Sequence, residues 1–130
     1  MSESERFDRG WELLEKIDGR PGERVMEGVG SLSPDLARYI IEFPYGDVWS
    51  RPGLDLKHRE LATVSALIAL GHCEPELKVH MGGMLRLGWT REEIVEVVIH
   101  MAVYAGFPAA LNALTIAGEV FSDEDAGQVD

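Results

Sequence analysis

The sequence predicts an all-α protein, and three observations support this prediction. Apolar residues recur at three- and four-residue spacing along most of the chain, as they do on one face of a helix. Residues that start and stop helices separate these segments at short intervals. No segment alternates apolar and polar residues as a half-buried strand does. We therefore expect a compact bundle of six or seven short helices.

The N-terminal segment predicts an amphipathic helix over residues 4–17 and a short second helix over residues 22–29. The inward positions of the first helix are Phe7, Trp11 and Leu14. Asp18-Gly19 and Pro21-Gly22 separate the two helices, because glycine and proline interrupt helical segments.

A third helix is expected to begin at Ser33, whose side chain can cap it. Pro34 suits the first helical position. Asp35 follows it, and a negative charge is favourable at a helix N-terminus. Pro44 should end this helix, so residues 44–55 are predicted to form a loop. Tyr45 and Trp49 are unusual in a surface loop, which leaves open whether this loop lines a pocket, forms an interface or is ordinary surface.

Four more helices are predicted in the C-terminal half. Their expected ranges are 55–70, 74–87, 91–105 and 108–120. Thr90 and Glu93 form a capping box at the start of the third of these helices. Gly106 separates the last two helices, and Pro108 suits the first turn of the final one.

Length and composition indicate one domain, over residues 1–121. Residues 122–130 are acidic and have little to bury, so we expect them to be disordered. Residues 61–70 and 97–117 carry few charges and are apolar over a wide face. Such helices are typical of burial on more than one side, which predicts a homo-oligomer.

The net charge of −11 opposes binding to nucleic acid and to anionic membrane surfaces. No apolar run approaches the ~20 residues of a membrane-spanning helix. Residues 1–6 are polar and charged, unlike a secretory signal. We therefore expect a cytoplasmic protein with neither a nucleic-acid nor a membrane partner.

His80 is the first candidate for chemistry. Glu76 lies one helical turn before it, and a carboxylate there can orient the imidazole and favour its protonated form. This arrangement suits a general acid, although a surface ion pair would give the same pattern. Gly82-Gly83 follows, and two glycines inside a helix cost roughly 1 kcal/mol each relative to alanine. Close approach of a ligand at Gly83, or of another helix, would offset that cost.

His100 and Tyr104 form a second candidate pair, one turn apart on the same predicted helix. Glu96 precedes His100 by the same step. The alternative is a hydrogen-bonded histidine in the core or at an interface. Phe107 follows the break and, with Trp49, could form an apolar wall.

Cationic residues near the start of the helix at residue 55 are candidates for anion binding. Arg51 and Arg59 lie where cations oppose the helix macrodipole, although solvated charge would explain them equally well. No HExxH motif, C-x-x-C pair or His-x-His spacing occurs, so we expect no metal. Cys73 is the single cysteine and cannot form a disulfide within the chain.

Three segments resemble the carboxymuconolactone decarboxylase family. They are YGDVWSRPGLD (45–55), RELATVSALIALG (59–71) and ELKVHMGGMLRLGWTREEIVEVVIHMAVYAGFPAALNAL (76–114). The order and spacing of these segments agree with the family, and VYAGFPAA is a distinctive string. We identify the chain as a member of this family on that basis.

The resemblance implies an alkylhydroperoxidase-like helical fold, assembled as a homohexamer from three dimers. It also implies cofactor-free decarboxylation of 4-carboxymuconolactone to the β-ketoadipate enol-lactone, a step in protocatechuate breakdown. The small anionic lactone would then be bound by Arg51 and Arg59, and His80 would be the general acid. Another small carboxylate remains possible as the substrate, because a family fixes its scaffold more firmly than its substrate.

Relatives of alkylhydroperoxidase type differ in one important respect. They use a C-x-x-C pair, with a histidine four residues beyond the second cysteine and an upstream glutamate. In this sequence Cys73 takes the first cysteine position and Glu76 the second, while Glu60 lies one residue from the upstream acid. A dithiol peroxidase mechanism is therefore excluded, and a one-cysteine peroxidase that uses Cys73 would need an external thiol.

Overall fold

The computed structural model of the protein describes residues 4–127. It divides into two compact units, Met1–Leu56 and Lys57–Asp130. All regular secondary structure within residues 4–127 is helical, which confirms the predicted all-α class. No helix in this range is long and apolar enough to cross a membrane.

The first unit begins with a long helix, α1 (Glu5–Leu32), followed by α2 (Pro34–Ile40). The Ser4 hydroxyl accepts a hydrogen bond from the Phe7 amide and caps α1. Both helices predicted in this segment are confirmed, but they are joined at a kink rather than separated. Gly19 makes the kink with a φ of 60°, a left-handed conformation that glycine adopts without a steric penalty.

A π-helix (Ile41–Trp49) follows α2 directly, so the prediction of a loop from residue 44 was wrong. The non-helical segment begins only at Ser50. A proline inside an α-helix removes a backbone donor and clashes with the preceding turn, and for that reason Pro44 was expected to end the helix. The chain instead changes to the wider i→i+5 winding before it reaches Pro44.

Contacts with α1 hold the π-helix in place. The two backbones approach so closely that a Cβ on Gly10 would collide with the Ile41 carbonyl oxygen, and one on Gly46 with the Arg6 carbonyl oxygen. Arg6 also forms a bidentate ion pair with Asp47, at 2.7 to 3.1 Å. These contacts are tertiary, and nothing in the local periodicity indicates them.

The second unit contains α3 (Leu56–Leu70), α4 (Glu74–Arg86), α5 (Arg91–Ala105) and α6 (Phe107–Asp125). The helices α3, α4 and α5 agree closely with their predicted ranges, and the capping box of Thr90 and Glu93 is present. Apolar side chains from all four helices form one core. Its largest fully buried members are Val64, Ile68, Met81, Met84, Ile94 and Val120.

The last helix extends to Asp125, five residues beyond its predicted end, so part of the segment expected to be disordered is helical. Arg91 pairs with Glu124 and Asp125 at 2.6 Å, and Lys78 approaches Asp123 at 3.1 Å. These ion pairs offset the repulsion between neighbouring acids, which the sequence pattern alone does not reveal. Residues 128–130 of the predicted tail lie outside the described residues.

Candidate active site

The imidazole of His80 is paired with a buried carboxylate. Its Nδ1 lies 2.6 Å from Oε1 of Glu60, which stands on α3 and is fully buried. The His80 side chain, on α4, keeps 16% of its surface exposed. An ionised Glu60 carboxylate would accept a hydrogen bond from Nδ1, which would leave Nε2 as the nitrogen that can exchange a proton with a substrate.

The partner of His80 is therefore a carboxylate that the local sequence pattern did not single out. Glu76, which we expected to orient the imidazole, is exposed to solvent. Spacing of one turn predicts contacts on the same helix, whereas Glu60 reaches His80 from the neighbouring helix. The one available signal was the family comparison, which placed Glu60 one residue from the upstream acid of the peroxidase relatives.

The start of α3 is fixed by Trp89, in the turn between α4 and α5. The Trp89 indole donates a hydrogen bond to the Lys57 carbonyl oxygen at 2.9 Å. The Lys57 ammonium lies 4.5 Å from the centroid of the same ring, within range of a cation–π interaction. Both contacts fix α3 at Lys57, one turn before Glu60. They therefore help to set the position of the Glu60 carboxylate.

Apolar residues and glycines surround His80 on its own helix. Gly82 and Gly83 are buried, together with Met81 and Met84. A small residue at these positions lets neighbouring groups approach the helix backbone closely. Gly83 thus lies in the interior of the second unit, one turn from His80.

His100, Tyr104 and Phe107 have a different environment. The rings of His100 and Tyr104 lie 5.1 Å apart, as their spacing on α5 predicts. However, Tyr104 and Phe107 are each 75% exposed, and His100 is exposed as well. Within a single chain these three residues therefore form no water-excluded pocket.

Trp49 and Arg51 line a groove in the first unit. The groove has a volume of about 370 Å³, and its other lining residues are Leu13, Ser50, Pro52, Leu54, Asp55 and Leu56. The indole of Trp49 is buried and stacks on Tyr45, with ring centroids 5.9 Å apart. The Tyr45 hydroxyl donates to the buried carboxylate of Asp18, which fixes the stack.

Arg59 belongs to the second unit and is partly exposed on α3, next to Glu60 in the chain. The second unit therefore brings together His80 and Glu60, and separately His100 and Tyr104, while Trp49 and Arg51 meet in the first unit.

Cys73 lies between α3 and α4, and its thiol donates a hydrogen bond to the Leu67 carbonyl oxygen at 3.2 Å. Burial raises the pKa of this thiol, and the charges of Glu76 and Glu74 raise it further. A raised pKa leaves little thiolate at neutral pH, and thiolate is the nucleophilic form. The environment of Cys73 is therefore unlike that of a reactive cysteine.

Comparison with known proteins identifies relatives of this chain. It is 36% identical to a 4-carboxymuconolactone decarboxylase of Acinetobacter baylyi over 124 residues, covering 95% of this chain and 92% of the relative. It is 39% identical over 120 residues to a nitrosuccinic acid decarboxylase of Metarhizium robertsii, covering 90% of this chain and 82% of the relative. An uncharacterised 15.0 kDa protein of Paracoccus denitrificans is 35% identical over 101 residues, which are 77% of this chain and 75% of that protein.

The sequence profile of the carboxymuconolactone decarboxylase family matches residues 34–119, which include α2 to α5 and most of α6. This range contains His80 and Glu60. It also contains the stacked Tyr45 and Trp49 and the pair of His100 and Tyr104. The chain belongs to the carboxymuconolactone decarboxylase family.

Proposed function

We propose that the protein is a carboxy-lyase that converts 4-carboxymuconolactone to the β-ketoadipate enol-lactone. The observation that carries this proposal is the pair of His80 and Glu60, in which a buried carboxylate orients a partly exposed imidazole. Two relatives named as decarboxylases, which align over most of the chain, support the same reaction class. The reaction would belong to the breakdown of protocatechuate.

The chemistry of the substrate explains what the protein must supply. The bond between the ring carbon and its carboxylate breaks and releases CO2. The electron pair moves through the ring C=C bond to the lactone carbonyl oxygen and gives a dienolate. A proton then adds to the ring carbon beside that carbonyl. Because the substrate itself accepts the electrons, this route needs no electron-sink cofactor.

His80 is suited to the protonation step. With Nδ1 donating to Glu60, the protonated imidazole carries its transferable proton on Nε2, and the negative charge of Glu60 stabilises the cation. General acids of this kind contribute about 10²- to 10⁴-fold to a rate. After transfer, His80 is neutral and regains a proton from solvent, to which its side chain remains partly exposed.

The carboxylates of the substrate need cationic partners. We propose Arg59, which stands beside Glu60 on α3 of the second unit, and we keep Arg51, beside Trp49 in the groove of the first unit, as a separate candidate. Guanidinium groups bind carboxylates in a bidentate manner, which also fixes the orientation of the substrate. The buried Gly83 would allow the ring to approach the helix backbone.

Tyr104 and His100 remain candidates for hydrogen bonds to the dienolate oxygen, with Phe107 as an apolar neighbour. Hydrogen bonds to a developing anion are effective where water is excluded. Since all three residues are exposed in the single chain, this role requires a second surface that covers them. We propose a homo-oligomer, with a hexamer as the expected assembly.

A second candidate substrate is nitrosuccinic acid, because a relative that aligns over 90% of this chain is named for its decarboxylation. The chemistry is analogous, since loss of CO2 beside a nitro group leaves a nitronate that is also protonated on carbon. The same general acid would serve both reactions. A peroxidase that uses Cys73 is disfavoured, because the pKa of the thiol is raised.

A direct assay distinguishes these candidates. Purified protein is mixed with 4-carboxymuconolactone or with nitrosuccinic acid, and the release of CO2 is measured together with the absorbance of the lactone. We expect kcat/KM to be at least about tenfold higher for the lactone, a difference of about 1.4 kcal/mol in transition-state binding. A preference for nitrosuccinic acid would transfer the proposal to that substrate, and no turnover of either would refute it.

A further inference from the structure

Trp89 bridges the two helices that carry Glu60 and His80. It follows α4, and its backbone amide donates a hydrogen bond to the Met84 carbonyl oxygen of that helix at 3.0 Å. Its indole N–H donates to the Lys57 carbonyl oxygen of α3 at 2.9 Å. One residue is therefore attached to both helices through hydrogen bonds, which are directional contacts.

The turn that presents Trp89 is itself fixed to α4. Gly88 has a φ of 100°, a left-handed conformation that glycine adopts without a steric penalty. The Gly88 amide donates to the Leu85 carbonyl oxygen at 3.1 Å, and the Leu87 amide donates to the Gly83 carbonyl oxygen at 3.0 Å. Because these bonds close the end of the helix, the indole leaves the turn in a defined direction.

The ring of Trp89 contacts two consecutive residues in the first turn of α3. The Lys57 ammonium lies 4.5 Å from the ring centroid, and the His58 imidazole packs edge-on with its centroid at 5.7 Å. Glu60 follows Lys57 by three residues, which is about 4.5 Å along the helix axis. The indole therefore holds the part of α3 from which the Glu60 carboxylate projects.

Apolar packing fixes α3 less precisely than these contacts do. Val64 and Ile68 of α3 belong to the core of the second unit. Burial of apolar surface is non-directional, whereas a hydrogen bond weakens steeply when its angle is distorted. The position of α3 is therefore defined most sharply where hydrogen bonds attach it.

A second attachment lies at the other end of α3, where the Cys73 thiol donates to the Leu67 carbonyl oxygen at 3.2 Å. A thiol is a weak donor. Leu67 also lies about two turns beyond Glu60, farther from it than Lys57 is. Of the two attachments, that of Trp89 has the greater influence on the carboxylate.

We propose that Trp89 is a positioning residue for the pair of Glu60 and His80, and that it thereby controls how effectively His80 donates a proton. Oε1 of Glu60 and Nδ1 of His80 lie 2.6 Å apart, and a short charge-assisted hydrogen bond depends strongly on its geometry. A small shift of α3 lengthens that bond and turns the imidazole away from its reactive orientation. The effect on turnover rests on the proposed decarboxylation, whereas the effect on the hydrogen bond does not.

The test is Trp89→Phe in the full chain, which removes the N–H donor but keeps an aromatic ring. Trp11→Phe makes the same change at a half-buried tryptophan of the first unit, and Cys73→Ala removes the other attachment of α3. Steady-state kinetics with 4-carboxymuconolactone give kcat and KM. Circular dichroism checks the helical content, and Trp89→Leu repeats the experiment without a ring.

Proton NMR of protein with isotope-labelled histidine reports the hydrogen bond directly. The resonance of the His80 Nδ1 proton is assigned by its absence in His80→Gln. Glu60→Gln shows where this resonance lies when the carboxylate charge is lost, and so provides the reference for a weakened bond.

We expect Trp89→Phe to lower kcat about three- to tenfold, with KM within about twofold of the wild-type value. The His80 Nδ1 resonance should move in the direction that Glu60→Gln moves it. Trp11→Phe and Cys73→Ala should leave kcat and the resonance unchanged.

A wild-type value of either quantity in folded Trp89→Phe would overturn the proposal, as would an equal loss of kcat in Trp11→Phe. If the wild-type protein does not turn over the lactone, the proposed reaction fails, and the resonance alone decides whether Trp89 positions the pair.

Discussion

The two histidines of the second unit differ in the partners that their helices give them. His80 on α4 meets a fully buried carboxylate from another helix, at 2.6 Å. His100 on α5 meets Tyr104 of its own helix, and both remain exposed. Both histidines showed a plausible partner one turn away in the sequence, but only the tertiary structure distinguishes the buried pair from the exposed one.

This difference shows what a buried charge partner adds. In water, the attraction between two unit charges at 4 Å is about 1 kcal/mol, and it rises several-fold at the effective dielectric constant of a protein. Glu60 is fully shielded from solvent, so its effect on His80 is much stronger than that of an exposed carboxylate. We therefore propose that His80 transfers the proton and that Glu60 positions its imidazole.

Among changes to the groups around His80, the largest expected effect comes from Glu60→Gln. The glutamine retains an oxygen that accepts from Nδ1 but loses the charge that stabilises protonated His80. We expect kcat to fall at least about tenfold, within the roughly 10²- to 10⁴-fold contribution of a general acid, while KM changes little. Steady-state kinetics with 4-carboxymuconolactone provide the measurement.

Glu76→Gln is the matched control, because it makes the same change at the exposed carboxylate. We expect its kcat to stay within about twofold of the wild-type value, since charges that are exposed to solvent interact only weakly with their neighbours. Equal losses in the two variants would mean that Glu60 has no special relation to His80. Thermal unfolding of both variants separates a loss of fold from a loss of catalysis.

The smallest expected effect comes from alkylation of Cys73. Burial and the neighbouring glutamates raise the pKa of the thiol, so iodoacetamide should react slowly at neutral pH and faster as the pH rises toward that value. The modification should leave decarboxylation unchanged. Protein unfolded in denaturant is the control for intrinsic reactivity, and rapid loss of turnover on alkylation of the folded protein would favour a thiol mechanism.

Much of the second unit could be predicted from its sequence because its signals are local. Thr90 and Glu93 form the expected capping box, and Gly106 separates α5 from α6 where predicted. These features depend on residues within one turn of each other. The sequence therefore predicted the bounds of α3, α4 and α5 to within one residue, and it predicted the contact between His100 and Tyr104.

The features that were missed depend on contacts between distant residues. The π-helix is held by Gly10 and Gly46 at its crossing with α1, and the end of α6 is held by Arg91 on α5. The pairing of Glu60 with His80 spans 20 residues. Periodicity reports which residues share a helix face, but it does not report which faces meet.

The most direct test of the account replaces each histidine in turn by glutamine, which is polar but cannot act as a general acid. His80→Gln is expected to lower kcat for 4-carboxymuconolactone by about 10²- to 10⁴-fold with the helical content unchanged. His100→Gln, measured on protein of the wild-type mass, is expected to stay within a few-fold of the wild-type kcat. A His80→Gln variant of nearly wild-type activity, or a larger loss in His100→Gln, would contradict the assignment of His80 as the general acid.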